Sequence, residues 1–135
     1  MKYLLDTHTV IWLAVNPSAL PKDADFAIFD SGDESFVSIA SAWEVAIKIG
    51  TGKLRFVGGV SEFFKIINEN GFGLLPITEG HVKTLESLPL LHKDPFDRVL
   101  ISTALVENRT RRFNDVSIGF GCDEIKILTP NSLVR

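Results

Sequence analysis

The chain has too few cysteines for an internal disulfide, since Cys122 is the only one. An unpaired thiol is typical of a reducing compartment, so we expect a cytoplasmic protein. No apolar stretch approaches the ~20 residues that cross a membrane. Asp6 and His8 interrupt the N-terminus before a signal-peptide apolar region can form. These absences predict a protein that is neither exported nor embedded in a membrane.

Several common site motifs are also missing. The three histidines share no His-x3-His spacing, which argues against a zinc site, and Cys122 has no context that marks a nucleophile. The serines at 38, 41 and 102 lack the Gly-x-Ser-x-Gly elbow of α/β-hydrolases. The stretch Gly50-Thr51-Gly52-Lys53 is too short for a phosphate-binding loop and follows a helix pattern.

Short apolar strand patterns alternate with amphipathic helix patterns along the chain. A length of 135 residues suits one domain, residues 1–135, without a linker or repeat. Strand–helix alternation predicts an α/β fold, a three-layer α/β/α sandwich around a short, mostly parallel sheet. We predict strands at 2–5, 35–38, 72–77 (at an edge, because of Pro76), 110–113 and 125–128, and helices at 7–15, 19–30, 42–49, 60–70, 78–88 and 96–108.

Four carboxylates stand where a strand pattern meets a helix start: Asp6, Glu44, Asp97 and Asp115. The carboxyl ends of parallel strands lie along one edge of a sheet, where ligands bind in open α/β folds. Carboxylate and water oxygens suit the hard cations Mg²⁺ and Mn²⁺. The pattern therefore favours a metal-dependent phosphoryl-transfer site.

Helix capping explains each of these acids separately. Asp6 and Asp115 are placed to cap short helices, and Ser41 with Glu44 fits a capping box. Asp94-Pro95-Phe96-Asp97 resembles an N-cap, a proline at the first helical position and an acid in the first turn. The two roles are compatible, because an acid in the first turn of a helix also faces the strand edge.

The net charge of the chain neither indicates nor excludes binding to nucleic acid. Fourteen basic against seventeen acidic residues give a net charge of −3, without the basic excess of many nucleic-acid-binding domains. A bound cation would offset the four site acids, and the remaining residues are then close to neutral. Basic residues that flank Glu44 and Asp97 suit either a phosphate track or solvated surface: Lys48, Lys53, Arg55, Lys93 and Arg98. The tryptophans, Trp12 and Trp43, fit core or interface anchors better than base-stacking platforms.

Three blocks of the sequence, in this order, resemble PIN-domain toxins of the VapC type. They are Met1-Lys-Tyr-Leu-Leu-Asp-Thr-His-Thr9, Ser41-Ala-Trp-Glu-Val-Ala-Ile-Lys48 with Gly52-Lys-Leu54, and His92-Lys-Asp-Pro-Phe-Asp-Arg98. The resemblance spans roughly residues 1 to 128. It implies a PIN-like fold and a Mg²⁺- or Mn²⁺-dependent endoribonuclease that leaves 5′-phosphate and 3′-hydroxyl ends.

The same resemblance implies a biological setting and a set of site residues. The protein would be the toxin of a type II toxin–antitoxin pair, a homodimer inhibited by an antitoxin segment laid across the active site. By matching motif positions, the metal-binding and catalytic acids fall on Asp6, Glu44, Asp97 and Asp115. Thr7 matches the hydroxyl residue beside the first acid.

The chain departs from the family pattern before Asp115. Relatives have an apolar strand that ends in Thr-x-Asp, whereas this chain has Thr110-Arg-Arg-Phe-Asn-Asp115. Two arginines in a buried strand are costly unless they are paired or lie at an edge. The departure keeps open a second interpretation, a PIN fold with impaired catalysis that acts as a binding module through its dimer or antitoxin surface.

Two other acid-edge α/β classes fit the sequence poorly. Receiver domains need paired N-terminal acids with a strand-end lysine, and haloacid-type phosphatases need Asp-x-Asp after the first strand. Here the first strand ends in Asp6-Thr7-His8.

Overall fold

The computed structural model describes residues 2–30, 32–89, 93–115, 125–129 and 132–134. Its strands are β1 (Lys2–Leu5), β2 (Glu34–Ser38), β3 (Gly73–Leu75), β4 (Ile125–Thr129) and β5 (Ser132–Val134). Its α-helices are α1 (Thr7–Val15), α2 (Lys22–Asp25), α3 (Ile39–Gly50), α4 (Gly59–Glu69), α5 (Glu79–Ser87) and α6 (Pro95–Asp115). None of the helices in the described ranges is both long and apolar enough to cross a membrane.

The strands form one sheet in the order β3-β2-β1-β4-β5. All neighbours pair in parallel except β4 and β5, which are antiparallel, so the prediction of a mostly parallel sheet is confirmed. Strand β1 is central, and Leu5 at its end is in register with Val37 on one side and Leu128 on the other. The carboxyl ends of β1, β2 and β4 therefore share one edge, as expected. Strand β3 lies at the edge of the sheet, where Pro76 predicted it.

Helices cover both faces of the sheet. Successive side chains of a strand point to opposite faces, and Leu4 and Leu5 accordingly belong to two separate cores. Leu5 packs in a large core with Val10, Val45 and Phe63, from α1, α3 and α4. Leu4 packs in a smaller core with Leu100 and Ala104 of α6. The expected three-layer α/β/α arrangement is thus present.

The predicted second helix, 19–30, is broken in the structure. Pro17–Ala19 forms one 3₁₀ turn, α2 covers Lys22–Asp25, and Phe26–Asp30 continues as a π-helical turn. Leu20, which precedes Pro21, is extended, with φ −65° and ψ 134°. The residue before a proline is forced away from helical geometry, so the proline separates the two segments.

The predicted strand at 110–113 is wrong, because α6 runs without interruption to Asp115. The segment contains no glycine or proline after Pro95, and two arginines suit a helix better than a buried strand. The position beside β1 is occupied instead by β4, the apolar segment predicted at 125–128. The connection between the predicted helices 78–88 and 96–108 includes residues 90–92, which lie outside the described residues.

Candidate functional site

Asp6 connects the end of β1 to the start of α1 and caps that helix. Its backbone N–H donates to the Leu128 carbonyl of β4 at 3.0 Å, which extends the β1–β4 pairing by one residue. Its Oδ1 accepts from the Thr9 N–H at 2.8 Å, and the Thr9 Oγ1 lies 3.0 Å from the same oxygen. The N-cap role is confirmed. Both contacts fall on Oδ1, so among the described residues capping fixes the carboxylate through this oxygen and does not use Oδ2.

The Asp6 carboxyl is held in an environment that disfavours its charge. Burial raises its pKa above the ordinary value for aspartate, more than the Thr9 hydrogen bonds and the nearby His8 lower it. The negative charge of Glu44 raises this pKa further. Glu44 is therefore an electrostatic neighbour of Asp6, although it stands 38 residues further along the sequence. A positive charge between the two acids would stabilise the charged form of Asp6.

Glu44 is buried on α3, with only 5% of its surface exposed. The Thr7 hydroxyl donates to its Oε1 at 2.6 Å, and the Lys48 ammonium donates to its Oε2 at 2.5 Å. A buried carboxylate without partners would be costly, and here both oxygens are paired. The matched hydroxyl residue Thr7 therefore holds the second acid rather than the first.

The predicted capping box between Ser41 and Glu44 is wrong. Helix α3 begins at Ile39, three residues earlier than predicted, and its cap is Ser38, whose Oγ accepts from the Ala40 N–H at 3.0 Å. Ser41 is inside the helix, and its buried hydroxyl has no hydrogen-bond partner among the described residues. The side chain of Glu44 is thus released from capping and free to serve the site.

Asp94 and Asp97 lie at the start of α6. Asp94 caps the helix: its Oδ1 accepts from the Phe96 N–H at 2.8 Å and from the Asp97 N–H at 3.2 Å. Pro95 occupies the first helical position, as predicted. Asp97 is exposed in the first turn, where a negative charge complements the helix dipole.

Lys48 joins these acids electrostatically. Its hydrogen bond to Glu44 raises its pKa above that of an ordinary lysine, against an opposing effect of burial, and the charges of Asp94 and Asp97 raise it further. The ammonium therefore stays charged and lies within the fields of three carboxylates from two helices. Sequence analysis had assigned Lys48 to a flanking basic surface. Its i,i+4 spacing from Glu44 was the available signal.

The four predicted acids differ in how closely the structure relates them to one another. The charge of Glu44 raises the Asp6 pKa and the charge of Asp97 raises the Lys48 pKa, so Asp97 is related to the first two acids through Lys48. Within the described residues, no three acidic, histidine or cysteine side chains are close enough to form a metal-binding group. The side chain of Asp115 is outside the described part of the chain, so the assignment of this fourth acid stays a prediction. Its backbone closes α6 rather than a strand.

The donor set fits a hard divalent cation in its chemistry. Asp6 and Glu44 supply carboxylate oxygens at the edge of a parallel sheet, and the region already contains one positive group, the Lys48 ammonium. An acid pair with a raised aspartate pKa is a site that favours added positive charge. Asp6 and Glu44 are the described pair that would hold Mg²⁺ or Mn²⁺ with water ligands completing the shell, and Asp97 stays a predicted further ligand.

An aromatic pair stands between the helices that carry the acids. Trp43, next to Glu44, meets Phe96, next to Asp97, edge to face with ring centroids 5.5 Å apart. Trp43 is 57% exposed, so it is not the core anchor that we considered. Such a contact couples the start of α6 to α3, and it fixes the relative positions of the segments that carry the two acids.

Comparison with known proteins agrees with this fold. The family model of the PIN domain matches residues 3–115. No curated protein is similar enough to match the chain. Among solved structures, a chain of the VapBC2 complex of Rickettsia felis, bound to a DNA fragment from its promoter, is similar with a TM-score of 0.57 and 14% identity. The match covers 96% of this chain and 100% of that one. Since the family match extends from β1 through α6 and includes all four predicted acids, the protein belongs to the PIN-domain family.

Proposed function

We propose that the protein is a Mg²⁺- or Mn²⁺-dependent endoribonuclease of the VapC type, the toxin of a type II toxin–antitoxin pair. The observation that carries the proposal is the pair of Asp6, directly after β1 at the carboxyl edge of a parallel sheet, and Glu44, buried on α3, whose negative charge raises the Asp6 pKa. PIN domains are generally nucleases, which makes phosphodiester hydrolysis the matching chemistry. The three sequence blocks that resemble VapC toxins give the more specific assignment.

The local contacts suit a preorganised acid site. Thr9 fixes Asp6 through Oδ1, and Thr7 fixes Glu44 through Oε1. Each acid is therefore held in a defined position, and its carboxylate oxygens keep further lone pairs that a cation can use. Ligands held by neighbouring hydrogen bonds keep their geometry and lose little entropy on binding.

In the proposed reaction, Asp6, Glu44 and Asp97 would hold the cation, and cleavage does not require the predicted fourth acid, Asp115. A cation held there would supply an activated water nucleophile and would offset the charge that develops on the phosphate. Asp97 is exposed at the start of α6, so its carboxylate is accessible to an RNA strand from solvent. Trp43 is also exposed, and its ring contacts Phe96, the residue before Asp97.

A cleavage assay tests the activity. We expect the wild-type protein to cut a structured RNA with Mg²⁺, leaving 5′-phosphate ends, and to lose cleavage with EDTA. Asp6→Asn and Asp97→Asn should lose it as well. Asp23→Asn, at an exposed acid of α2, is the matched control and should cut like wild type. Equal cleavage by all of these samples would refute the proposal and point to a contaminating nuclease.

The partners follow from the same proposal. The similar Rickettsia felis structure is a VapBC complex, and we propose a cognate antitoxin and a homodimer for this chain too. Co-expression with the product of the adjacent gene tests the first, because an antitoxin should co-purify and suppress cleavage. Sedimentation of the purified chain tests the second.

One observation favours a second candidate, a PIN fold that binds without catalysis. In the described residues the acids do not gather into a group of three, and the helix that ends at Asp115 replaces the expected strand. Calorimetric titration separates the two candidates. Absence of Mg²⁺ or Mn²⁺ binding at millimolar concentration would favour the inert module, whereas binding that Asp6→Asn abolishes would support the nuclease.

A further inference from the structure

Both carboxylate oxygens of Glu44 already accept a hydrogen bond in the described arrangement. Oε1 accepts from Thr7 at 2.6 Å and Oε2 accepts from Lys48 at 2.5 Å. The side chain of Glu44 is 7% exposed, so solvent offers it few other partners. A metal ion that binds either oxygen would therefore lie close to the donor that this oxygen already holds, and the nature of that donor decides whether the two can coexist.

The two donors differ in how easily they can leave. Thr7 is a short, buried side chain at the start of α1, directly after the capping residue Asp6. Lys48 carries its charge on a flexible four-carbon stem and is 32% exposed. An ammonium and a divalent cation also repel one another at contact distance, whereas a hydroxyl dipole can remain beside a metal. Lys48 is therefore the group that a metal would displace.

The surroundings of Lys48 give its ammonium another place to go. Asp94 and Asp97 at the start of α6 attract it, after the dominant hydrogen bond to Glu44. Both aspartates are exposed, so the ammonium can move toward them and toward solvent without being buried unpaired. Lys48 therefore lies between the buried carboxylate of Glu44 and the exposed pair Asp94 and Asp97, which we call the acidic rim.

We propose that Lys48 is the internal counter-ion of the acidic site and competes with the divalent cation for Glu44 Oε2. The inference rests on the proposed metal-dependent function and adds a residue that sets its metal affinity. Without metal, Lys48 stabilises the buried carboxylate and keeps Thr7 and Glu44 in place. With metal, the cation binds Glu44 Oε2 and the Lys48 ammonium moves to the acidic rim. The loss of the Lys48–Glu44 ion pair therefore lowers the metal affinity.

Metal binding by matched variants tests the competition. We would titrate Mn²⁺ into the wild-type chain, Lys48→Gln and Lys48→Arg, by calorimetry and by thermal unfolding, well above the ordinary carboxyl pKa. Lys48→Gln should unfold at a lower temperature without metal, gain more thermal stability from Mn²⁺, and bind it about tenfold more tightly. Lys48→Arg keeps the positive charge and should remain near the wild-type affinity.

Lys83→Gln is the matched control. Lys83 also pairs with a glutamate at i,i+4, Glu79 at 2.7 Å, but both side chains are exposed and lie on α5. Its removal should leave Mn²⁺ affinity unchanged, which separates competition at the site from a general change in net charge.

A labelling experiment on the wild-type chain covers the case in which Lys48→Gln fails to fold. Amine acetylation followed by mass spectrometry should modify Lys48 slowly without metal and at least severalfold faster with saturating Mn²⁺, because the ammonium has left Glu44. Lys65 and Lys83, both exposed, serve as internal references and should not change.

The outcomes separate the two proposals. Tight Mn²⁺ binding by the wild type, with equal or weaker binding by Lys48→Gln and no change in Lys48 labelling, overturns the competition and leaves the nuclease intact. Absence of Mn²⁺ binding by every variant overturns both.

Discussion

The Thr7 hydroxyl donates a 2.6 Å hydrogen bond to Glu44 across 37 residues of sequence, between the first turn of α1 and the middle of α3. Both groups are buried, so this bond joins two elements of the site inside the protein. It explains why a threonine directly after Asp6 matters even though its hydroxyl does not cap the helix. The bond sets the side-chain position of the second acid.

Thr7→Val tests this bond with a change of similar shape. The valine leaves Glu44 Oε1 without its donor, and we expect a loss of about 1–3 kcal/mol in the free energy of unfolding. Thr7→Ser keeps the hydroxyl and should retain most of the stability. Urea unfolding of the metal-free proteins measures both, and equal stability of Thr7→Val and wild type would contradict the role of the bond.

The raised pKa of Asp6 predicts how stability depends on pH. A folded-state pKa above the unfolded value means that the folded protein binds the proton more tightly. The contribution of Asp6 is therefore most favourable at acidic pH and is lost as pH rises from the ordinary aspartate pKa of 3.8 through the raised folded pKa. At neutral pH without metal, Asp6 in its charged form lowers stability.

Asp6→Asn isolates this contribution, because asparagine caps helices about as well as aspartate. Without metal we expect the variant to be more stable than wild type at neutral pH, and the gap to close as pH falls through the raised pKa. Urea unfolding across pH measures it, with the exposed cap variant Asp94→Asn as control. A gap that widens toward acidic pH would show the opposite sign of linkage and refute the explanation.

The buried His81 fixes α5 against α6. Its ring Nδ1 accepts from the Thr78 backbone N–H at 3.1 Å. The backbone N–H of His81 donates to the Thr78 hydroxyl, and the two bonds together form a capping box. Since Nδ1 is an acceptor, the ring proton is on Nε2, which lies 2.9 Å from Glu107 Oε1. One imidazole ring thus satisfies a helix start and bridges to the next helix.

His81→Ala should therefore destabilise the fold by about 2–4 kcal/mol, through a cavity and the lost cap. Glu107→Gln keeps an oxygen acceptor for Nε2–H and should cost less than about 1 kcal/mol. Urea unfolding compares the two variants, and circular dichroism checks that α5 is retained. If both changes cost the same, the ring contributes no more than its contact with Glu107.

Sequence analysis predicted the layers and the acid edge because both follow from simple patterns. A continuous apolar strand such as Lys2–Leu5 indicates a central parallel strand, and an acid directly after it falls on the carboxyl edge. The pattern Asp94-Pro95 with Asp97 identified the cap and the first helical position of α6, one residue before the predicted helix 96–108. These predictions depend on local rules, which a single sequence shows directly.

The errors come from competition between local alternatives. Ser38 and Ser41 are both good caps, and the choice depended on where β2 ends, which the sheet register decides. Residues 110–113 suit a helix as readily as a strand, and the choice depended on β4 occupying the place beside β1. The pairing of Lys48 with Glu44 instead of solvent depended on the burial of Glu44. Tertiary packing settled each case.

Helix α6 makes a testable statement about Asp115, the fourth predicted acid. A rise of about 1.5 Å per residue places the Cα of Asp115 about 27 Å along the helix axis from that of Asp97. Two aspartate side chains cannot span that distance to share a cation. The helix therefore predicts that Asp115→Asn retains RNA cleavage within about tenfold of wild type, whereas Asp97→Asn loses it. Parallel Mn²⁺ titrations of both variants provide the control, and loss of metal binding by Asp115→Asn would place this acid in the site after all.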